Sequence, residues 1–354
     1  MEPVRVAAVG LGRWANVLAD AYTRSDRVKL VTCYSRNPAK RDAFSARYGC
    51  GQDESLEAML RRDDVEGVIV TVPNDQHADV IEQAAAAGRS VYVEKPIAID
   101  LADGLRIQRA VESAGVAFLC GHSARRLGGL RAIKGFIESG EIGEVSMIEA
   151  TFANERGLEL KATDWRGDPS KAPGGPLTQL GVHQIDNLQY LLGPVKQVFC
   201  FGKSLYTRVP NETVLQTVME FESGQMAYLG TNWASPGHFM LNVYATKSNL
   251  FYDLDFSWWS NSNTTDEHSQ LMRTQFSSFS DDPDNRVLAK SVIQFAATDH
   301  LRDEIEDFAN AVRTGQPVEI DAAFAVRNLA VVLAALRSAH EGRMVTIAEV
   351  LRQV

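Results

Sequence analysis

Three polar side chains on one predicted helix have the chemistry to move protons or to hold hydroxyl groups. Apolar residues recur at helical spacing over residues 177–191, and Gly193 follows the run. Gln179 and His183 are four residues apart, so one face of the helix presents both, with Asp186 one turn further on. Such a cluster is either a buried hydrogen-bond network or a reaction site. Segments earlier in the chain are needed to decide between the two.

The chain opens with a pattern that is typical of dinucleotide binding. Residues 4–9 (VRVAAV) form the apolar run of a buried parallel strand, and G-x-G-x-x-A follows, from Gly10 through Gly12 to Ala15. Gly10 permits a tight turn, and Gly12 lets a pyrophosphate approach the backbone. The free N–H groups of the helix that follows are donors for phosphate. In this strand–turn–helix context, the motif favours a dinucleotide site over a simple tight turn.

The end of the second predicted strand, residues 28–34, bears on which dinucleotide is bound. NAD sites carry an acidic residue there for the ribose 2′-hydroxyl, whereas this chain has Ser35-Arg36-Asn37. A hydroxyl and a guanidinium are better suited to a 2′-phosphate. The sequence therefore leans toward NADP without excluding NAD, and an ordinary exposed arginine is the alternative interpretation of Arg36.

Two later strands deliver polar residues to the edge of the sheet where ligands bind. The strand at residues 65–72 leads into Pro73 and Asn74, and His77 begins the next helix, where it either caps that helix locally or contacts a ligand. The strand at residues 90–93 leads into Glu94-Lys95-Pro96. Beside a nicotinamide ring Lys95 would be desolvated and could exchange protons, and a solvated lysine after a strand is the alternative.

The order and spacing of these motifs resemble those of the Gfo/Idh/MocA family, which includes glucose–fructose oxidoreductases and inositol dehydrogenases. The resemblance covers residues 4–193 in motifs. It rests on the glycine loop, VPNDQH (72–77), VEKP (93–96), GEIGEV (140–145), the Trp165-Arg166 pair and GGPLTQLGVHQID (174–186). It implies cofactor contacts from Gly10, Gly12, Arg13, Trp14, Ser35, Arg36, Pro73, Asn74, His77, Glu94 and Lys95. It implies substrate contacts from Arg126, Trp165, Arg166, Gln179 and His183. No metal is expected.

The catalytic group that the resemblance implies is altered at one position. Sugar dehydrogenases of the family place the lysine of the E-K-P strand by the reacting carbinol, with an Asp-x-x-x-His pair on the later helix. Lys95 and His183 match, and Gln179 stands at the aspartate position. An amide can hold a hydroxyl group but cannot exchange a proton near neutral pH. Proton transfer is therefore assigned to Lys95 or His183, which must converge on one substrate, while Gln179 orients it.

Several arginines in segments expected to border the pocket suggest an anionic substrate. They are Arg125, Arg126, Arg156 and Arg166, accompanied by Asn154 and Trp165. Guanidinium forks suit carboxylate, sulfonate or phosphate oxygens, and Trp165 could stack on a pyranose ring. The alternative is that most of these arginines form surface ion pairs with nearby acids.

The resemblance predicts two domains of the α/β class. An N-terminal Rossmann dinucleotide-binding domain takes residues 1–122. Residues 123–354 are predicted to form an α/β domain for substrate binding and oligomerisation. Its large, mostly antiparallel open sheet has one face covered by helices, and its other face is expected to join a homodimer or homotetramer. The polar segment 257–280, with two tryptophans, is either a loop over the pocket or a subunit contact.

Composition excludes several other classes of protein. The chain has 354 residues, 45% hydrophobic and 23% charged, which is ordinary for a globular protein. Its formal net charge of -9 argues against a nucleic-acid or anionic-membrane partner. The four cysteines are scattered without a C-x-x-C pair, and the sequence shows neither a leader pattern nor an uninterrupted apolar run of membrane length. These features predict a cytoplasmic protein with a small-molecule partner.

The predicted function is NAD(P)-dependent hydride transfer between nicotinamide and a secondary alcohol or ketone of a sugar, polyol or sugar derivative. Three alternatives stay open. One is an NAD-dependent redox glycosidase that cleaves a glycoside through transient oxidation. Another is a dehydrogenase of a cyclic diol in aromatic catabolism, which an apolar pocket wall would favour. The third is a non-catalytic nucleotide sensor, against which Lys95 and His183 argue.

Overall fold

The chain folds into two compact units. The computed structural model describes residues 2–161, 163–276 and 287–352. The first unit contains the chain up to Ser123 together with His300–Leu329, and the second contains Ala124–Asp299 together with the chain from Ala330 onward. The predicted domain boundary near residue 122 differs from this division because the segment 300–329 returns to the first unit.

The first unit is built on a six-stranded parallel sheet. Its elements in chain order are β1 (Val4–Val9), α1 (Arg13–Tyr22), β2 (Val28–Tyr34), α2 (Pro38–Tyr48), β3 (Gly51–Gln52), α3 (Leu56–Leu60), β4 (Gly67–Val70), α4 (His77–Ala86), β5 (Ser90–Glu94), α5 (Leu101–Ala114) and β6 (Phe118–Gly121). The strand order is β3-β2-β1-β4-β5-β6, the doubly wound order of dinucleotide-binding folds. The sheet confirms the predicted Rossmann fold, and the four strands predicted above are present, each within two residues of its expected ends.

Apolar packing explains why residues 300–329 belong to the first unit. Leu301, Ile305 and Phe308 are buried in the same core cluster as the residues of β1. Arg313 adds a paired contact, since its guanidinium binds both oxygens of Glu66 at 2.6 and 2.8 Å. The helical pattern of this segment was visible in the sequence, but the sheet that its apolar face packs against was not.

The second unit is built on a nine-stranded mixed sheet. Its elements are α6 (Gly128–Glu138), β7 (Val145–Ala153), α7 (Arg156–Glu159), α8 (Val182–Leu192), β8 (Val195–Lys203), β9 (Val214–Phe221), β10 (Met226–Asn232), β11 (His238–Ala245), β12 (Ser248–Leu254), β13 (Ser269–Phe276) and β14 (Leu288–Ile293). The chain continues through α9 (His300–Thr314), α10 (Ala322–Glu341), β15 (Val345–Thr346) and α11 (Ile347–Leu351). The order is β14-β13-β12-β11-β7-β10-β9-β8-β15, and neighbours are antiparallel except for β7 and β10. This confirms the predicted mostly antiparallel sheet.

The polar segment 257–280 was predicted as a loop or a subunit contact. It contains a short helical turn at Phe256–Trp258, another at Thr265–His268, and β13 as an inner strand of the sheet, so it is not a simple loop, and the subunit contact stays a prediction. Residues 277–280 lie outside the described residues. The sequence did not reveal β13 because its burial does not alternate cleanly: Leu271 and Thr274, three residues apart, are buried, and Gln270 and Gln275 are exposed.

Helix α10 has the length and hydropathy of a membrane-spanning helix, but it is largely buried within the protein. Of its most apolar 18-residue window, 61% is buried. Its Ala, Leu and Val residues include Val331, Ala334 and Ala335, all with negligible exposure. The helix therefore matches the core helix that the sequence periodicity predicts.

Candidate active site

The glycine loop of the first unit has the geometry that phosphate binding requires. Gly10 has φ +89°, and a Cβ there would lie 2.7 Å from the backbone N of Val72. A Cβ at Gly12 would meet nothing within 4 Å among the described residues, so the backbone there is open to a ligand. Gly12 also precedes the first turn of α1, whose N–H groups suit a pyrophosphate.

The end of β2 presents the residues predicted to read the ribose. The carbonyl of Ser35 accepts a 2.7 Å hydrogen bond from Arg41 Nη1, which fixes the start of the loop. Asn37 caps α2 through its side chain, which accepts from the backbone N–H of Lys40. Arg36, between them, is exposed. A guanidinium in this position is accessible to a phosphate group.

Trp14 and Glu94, both predicted to contact the cofactor, bind each other. The indole Nε1 of Trp14 donates to Glu94 Oε1 at 2.5 Å, which connects the start of α1 to the end of β5. Glu94 is buried, and burial raises the pKa of its carboxyl to about 6. The hydroxyl of Tyr92 lies 3.4 Å from Glu94 and donates to Glu304 at 2.7 Å. The Glu94 side chain therefore braces the glycine loop against the strand that ends at Lys95.

His77 connects the two other loops of this edge. Its Nε2 lies 3.1 Å from the carbonyl oxygen of Val72, and its Nδ1 lies 3.1 and 3.2 Å from those of Pro96 and Ile97. Its side chain is fully buried, and burial lowers its pKa. The alternative in which His77 only caps its own helix is wrong. The ring holds the VPNDQH loop and the E-K-P turn together.

Lys95 follows β5 inside this frame. Its backbone N–H donates to Glu94 Oε2 at 3.3 Å, and Pro96 and Ile97 after it are buried. The Lys95–Pro96 peptide is cis, and the lysine side chain is half-buried. The carboxyl end of β5 thus presents one amine at the ligand edge of the parallel sheet.

Asn74 gives an independent indication that this edge fits a nucleotide. It is buried, and within the part of the chain that the structure describes its Nδ2 makes no hydrogen bond. A buried donor without an acceptor is costly unless a ligand or water supplies one. A dinucleotide carries carbonyl, hydroxyl and phosphate oxygens that can accept from this amide. Together with the open backbone at Gly12, the residues present fit NAD(P).

In the second unit, two glycines and a π-helical turn precede the predicted catalytic helix. Gly174 and Gly175 have φ +67° and +42°, and a Cβ at Gly175 would lie 2.5 Å from the carbonyl oxygen of Glu212. Residues 177–181 form a π turn, in which the N–H of Val182 reaches the carbonyl of Leu177. The prediction of a regular α-helix from residue 177 is wrong in this first turn. Such turns recur at functional sites.

Asp186, the third member of the polar cluster, belongs to a structural ion pair. Arg125 donates to its carboxylate from Nε at 2.8 Å and from Nη2 at 2.6 Å, and both side chains are almost fully buried. The Arg125 guanidinium also lies 5.0 Å from the ring centroid of Tyr190. The prediction that Arg125 borders the pocket as an anion ligand is wrong, because its charge is already balanced by Asp186.

The predicted substrate residues of the second unit lie on separate segments. Arg126 is buried next to Arg125, and its carbonyl accepts from Thr298 Oγ1 at 2.8 Å. The Arg166 guanidinium stacks on Trp165, 4.3 Å from the ring centroid, so the two side chains form one surface. Gln179 is half-buried in the π turn.

His183 is surrounded by aromatic rings that the sequence did not connect with it. Its ring centroid is 5.3 Å from that of Trp259 and 5.9 Å from that of Phe152. Phe239 and Phe256 complete the group, at 5.0 and 4.8 Å from Phe152. The paired aromatic side of β7 and β11 was a possible signal, since Phe152 and Phe239 are cross-strand partners. We call Phe152, Phe239, Phe256 and Trp259 the aromatic cluster.

Within the described ranges, no group of three or more His, Cys, Asp or Glu side chains could hold a metal ion. The convergence of Lys95 and His183 joins residues of two separate units, and it stays a prediction.

Comparison with known proteins identifies the class to which this fold and these motifs belong. Residues 4–122 match the oxidoreductase family with an NAD-binding Rossmann fold, and residues 130–251 match the GFO/IDH/MocA C-terminal domain. The chain belongs to the GFO/IDH/MocA family. It is an NAD(P)-binding oxidoreductase, which confirms the predicted fold, enzyme class and cofactor class.

Three relatives illustrate the range of that family. A solved structure from Desulfitobacterium hafniense, described as an NADPH-dependent oxidoreductase, is 60% identical over 99% of both chains, with a TM-score of 0.96. The 2,7-anhydro-N-acetylneuraminate hydratase of Escherichia coli is 28% identical over 71% of this chain and 68% of its own length. The inositol 2-dehydrogenase of Rhizobium meliloti is 29% identical over 54% of this chain and 55% of its own length, so that alignment spans about half of each protein.

Proposed function

We propose that this oxidoreductase transfers hydride between nicotinamide and a secondary alcohol or ketone of a sugar, polyol or sugar derivative. The observation that carries the proposal is the hydrogen-bonded frame of Trp14, Glu94 and His77 around Lys95. A frame of this kind keeps one amine in a fixed place at the ligand edge of an NAD(P)-binding sheet. The similarity to an inositol 2-dehydrogenase supports a polyhydroxylated substrate.

Lys95 and His183 are the residues proposed to handle the proton, and Gln179 is proposed to orient the substrate. The nicotinamide, when bound, supplies or accepts the hydride. An amine and an imidazole can each take the proton of a reacting hydroxyl group, whereas the Gln179 amide can only donate to it or accept from it.

The coenzyme is proposed to be NADP in preference to NAD. Ser35 and the exposed Arg36 follow β2 where an acidic residue would serve the 2′-hydroxyl of NAD, and the similar Desulfitobacterium protein is described as NADPH-dependent. The proposed cofactor contacts are Gly10, Gly12, Arg13, Trp14, Ser35, Arg36, Pro73, Asn74, His77, Glu94 and Lys95. Arg36→Asp should weaken NADPH binding and leave NADH binding unchanged or improved. Arg47→Ala, in the same unit, is the control.

An anionic substrate is proposed from Arg126 and Arg166, with Trp165, which contacts Arg166, as a stacking surface. The similarity to a hydratase whose name denotes a sugar acid supports this class. Arg166→Ala should lower kcat/KM for acidic substrates more than for neutral ones. An unchanged kcat/KM for every substrate that is turned over would contradict the proposal.

A redox-neutral reaction is the second candidate, and the same relative favours it. That relative is named as a hydratase, and not as a dehydrogenase. Cleavage or hydration of an anhydro sugar or glycoside through transient oxidation would leave no net change in cofactor absorbance. Product analysis by mass spectrometry separates this candidate from net oxidation or reduction.

The second unit is proposed to associate with another copy of itself through the outer face of its sheet, giving a homodimer or homotetramer. Met147 and Met226 are cross-strand partners on that face, 38% and 53% exposed, and Val218 and Phe201 extend the apolar surface. Apolar surface of this kind is typical of an interface. Val218→Glu combined with Met226→Lys should give monomers in sedimentation velocity.

A cytoplasmic location is proposed too, since Cys33, Cys50, Cys120 and Cys200 are all buried free thiols.

The deciding experiment is a turnover screen of sugars, sugar acids, inositols and glycosides with NAD and NADP, with product identification. Lys95→Met and His183→Ala should each lower kcat at least about 100-fold, the contribution of general acid–base catalysis. The fold-loss in kcat of the double variant should be far smaller than the product of the two single fold-losses, because the effects of residues that act as one unit are not additive. Lys40→Met and His340→Ala, both exposed, are the matched controls.

A further inference from the structure

Trp259 has a contact that gives it a role in the reaction, although it lies in a segment without a recognisable motif. Its ring meets that of His183 edge-to-face, with centroids 5.3 Å apart and planes at 70°. Only 6% of Trp259 and 4% of His183 are exposed, so water does not separate the two rings. Aromatic pairs favour this edge-to-face geometry over a stacked one.

The backbone around Trp259 is held by local hydrogen bonds. Asp255 caps the turn, since its Oδ1 accepts from the backbone N–H and the hydroxyl of Ser257 at 3.0 and 2.7 Å. The backbone N–H of Trp259 itself donates to the carbonyl of Phe256 at 3.1 Å. Ser262, three residues on, is fastened to Asp299 by a 2.5 Å hydrogen bond. The indole is therefore presented from a short, fixed turn.

The rest of the aromatic cluster keeps the Trp259 ring in place. Phe256, Phe152 and Phe239 lie 5.7, 6.0 and 6.0 Å from it between ring centroids. Phe152 also contacts His183, at 5.9 Å with planes at 48°. Two rings from different elements, themselves in contact at 6.0 Å, thus border the imidazole. A tilt of the imidazole plane away from its present orientation would give up at least one of these contacts.

We infer that Trp259 is a positioning residue that holds the plane of the His183 imidazole in the orientation that proton transfer requires. This inference rests on the proposed role of His183 in proton transfer. An imidazole whose plane tilts away would misalign its nitrogen with the reacting hydroxyl group, which lowers the rate of the chemical step without changing cofactor binding.

The chain offers a matched control in the neighbouring residue. Trp258 is 37% exposed and stacks on His268, with centroids 3.8 Å apart and planes at 8°, so it belongs to a different aromatic pair. Trp258→Leu and Trp259→Leu therefore remove the same side chain from the same turn. Only the second removes a contact with His183.

Steady-state kinetics of the full-length enzyme with NADPH and a substrate from the turnover screen form the first test. Trp259→Leu should lower kcat about tenfold, while KM changes less than about twofold and the NADPH dissociation constant is unchanged. Trp259→Phe, which keeps an aromatic ring, should recover most of the rate. In a His183→Ala background, Trp259→Leu should cost nothing further. Equal rates for Trp258→Leu and Trp259→Leu, or an additive loss in the His183→Ala background, would overturn the inference.

A second readout does not depend on turnover. Histidine labelled with 15N reports the tautomer and exchange of the His183 ring by NMR, with His183→Ala used to assign the signal. The wild type and Trp258→Leu should show sharp ring signals, and Trp259→Leu exchange broadening. An unchanged His183 spectrum in Trp259→Leu would overturn the inference even if the substrate screen failed. If His183→Ala left the rate unchanged while Trp259→Leu altered the His183 spectrum, only the proposed function would be contradicted.

Discussion

The two units hold their functional side chains by different physical means. In the first unit, hydrogen bonds connect neighbouring loops: Trp14 binds Glu94, and His77 contacts the carbonyl oxygens of Val72, Pro96 and Ile97. In the second unit, aromatic and ionic contacts between side chains predominate. His183 packs against Trp259 and Phe152, and Asp186 forms an ion pair with Arg125.

This difference corresponds to the demands of the two kinds of ligand. The dinucleotides bound by this fold are chemically similar, so their loops can be fixed through backbone groups and short motifs. A substrate differs from one enzyme to the next, and its site is built from side chains on several elements. The motifs of the first unit can be recognised locally, although contacts such as that of Trp14 with Glu94 join distant residues, whereas the second site has no such local motif for its partners.

The ion pair of the second unit should give the largest single loss of stability. Asp186→Leu leaves the Arg125 guanidinium buried without its partner, which should lower the free energy of unfolding by about 3–5 kcal/mol. Scanning calorimetry and urea unfolding measure the change. Arg125→Met combined with Asp186→Leu should recover most of it, because the pair is replaced by apolar volume.

The exposed pair of Arg47 and Asp20 is the control for that experiment. Its side chains are about half exposed, so Arg47→Ala should cost less than about 1 kcal/mol. A loss of the same size for Asp186→Leu and Arg47→Ala would show that the buried pair has no special weight in the second unit.

Substitutions at two glycines of the first unit should affect different properties: Gly10→Ala the stability, and Gly12→Ala the binding of the coenzyme. Gly10→Ala forces a Cβ to φ +89° and to 2.7 Å from the Val72 backbone, and should cost about 3 kcal/mol of stability. Gly12→Ala should leave the melting temperature almost unchanged, because its Cβ would meet no described residue within 4 Å. It should nevertheless weaken NADPH binding, since the Cβ occupies the approach to the pyrophosphate. Calorimetry together with coenzyme titration distinguishes the two, and equal melting temperatures would contradict the prediction.

The His77 contacts should contribute a smaller amount. His77→Phe keeps the ring volume but removes the N–H group of the imidazole, and it leaves a carbonyl group that accepted from it without a donor. The expected cost is about 2 kcal/mol in unfolding free energy. His77→Gln retains an amide donor and should lose less. If the two variants unfolded alike, then packing and not hydrogen bonding would hold these loops together.

Glu94→Gln should have an effect that depends on pH, and it reaches the size of the His77→Phe effect only at the upper end of the pH range. The folded state raises the Glu94 pKa from 4.5 to about 6, so it holds this proton more tightly than the unfolded chain does. The wild type therefore loses stability as pH rises from about 4.5 through 6, by up to about 2 kcal/mol. The glutamine cannot ionise and still accepts from Trp14, so the variant should gain relative stability over that window. Melting temperatures between pH 4 and 8 test this, and a constant difference would contradict it.

The sequence predicts the first unit well because its signals are local. The apolar run of β1, the glycines after it and the helix that follows are contiguous, and parallel strands alternate with helices in a regular order. The return of residues 300–329 to this unit was missed. Its helical periodicity shows that one face is apolar, but periodicity does not say which sheet that face covers.

The sequence predicts the side chains of the second site but not their partners. His183 and Gln179 were found from spacing and family resemblance, and Asp186 was placed in the same cluster. Arg125, 61 residues away, is the residue that neutralises Asp186, and no local pattern connects the two. Trp259 was likewise hidden in a polar segment, because an aromatic contact leaves no periodic trace when its members come from a helix, a strand and a turn.

The π turn at residues 177–181 has a consequence for how this chain is compared with its relatives. A π turn is an α-helix that has accepted one additional residue. Because this turn takes one more residue than an α turn, the four-residue spacing that would align Gln179 with His183 on a regular helix does not apply unchanged across residues 177–181. A relative with one residue fewer in this turn would therefore present a different side chain at the place that Gln179 takes here.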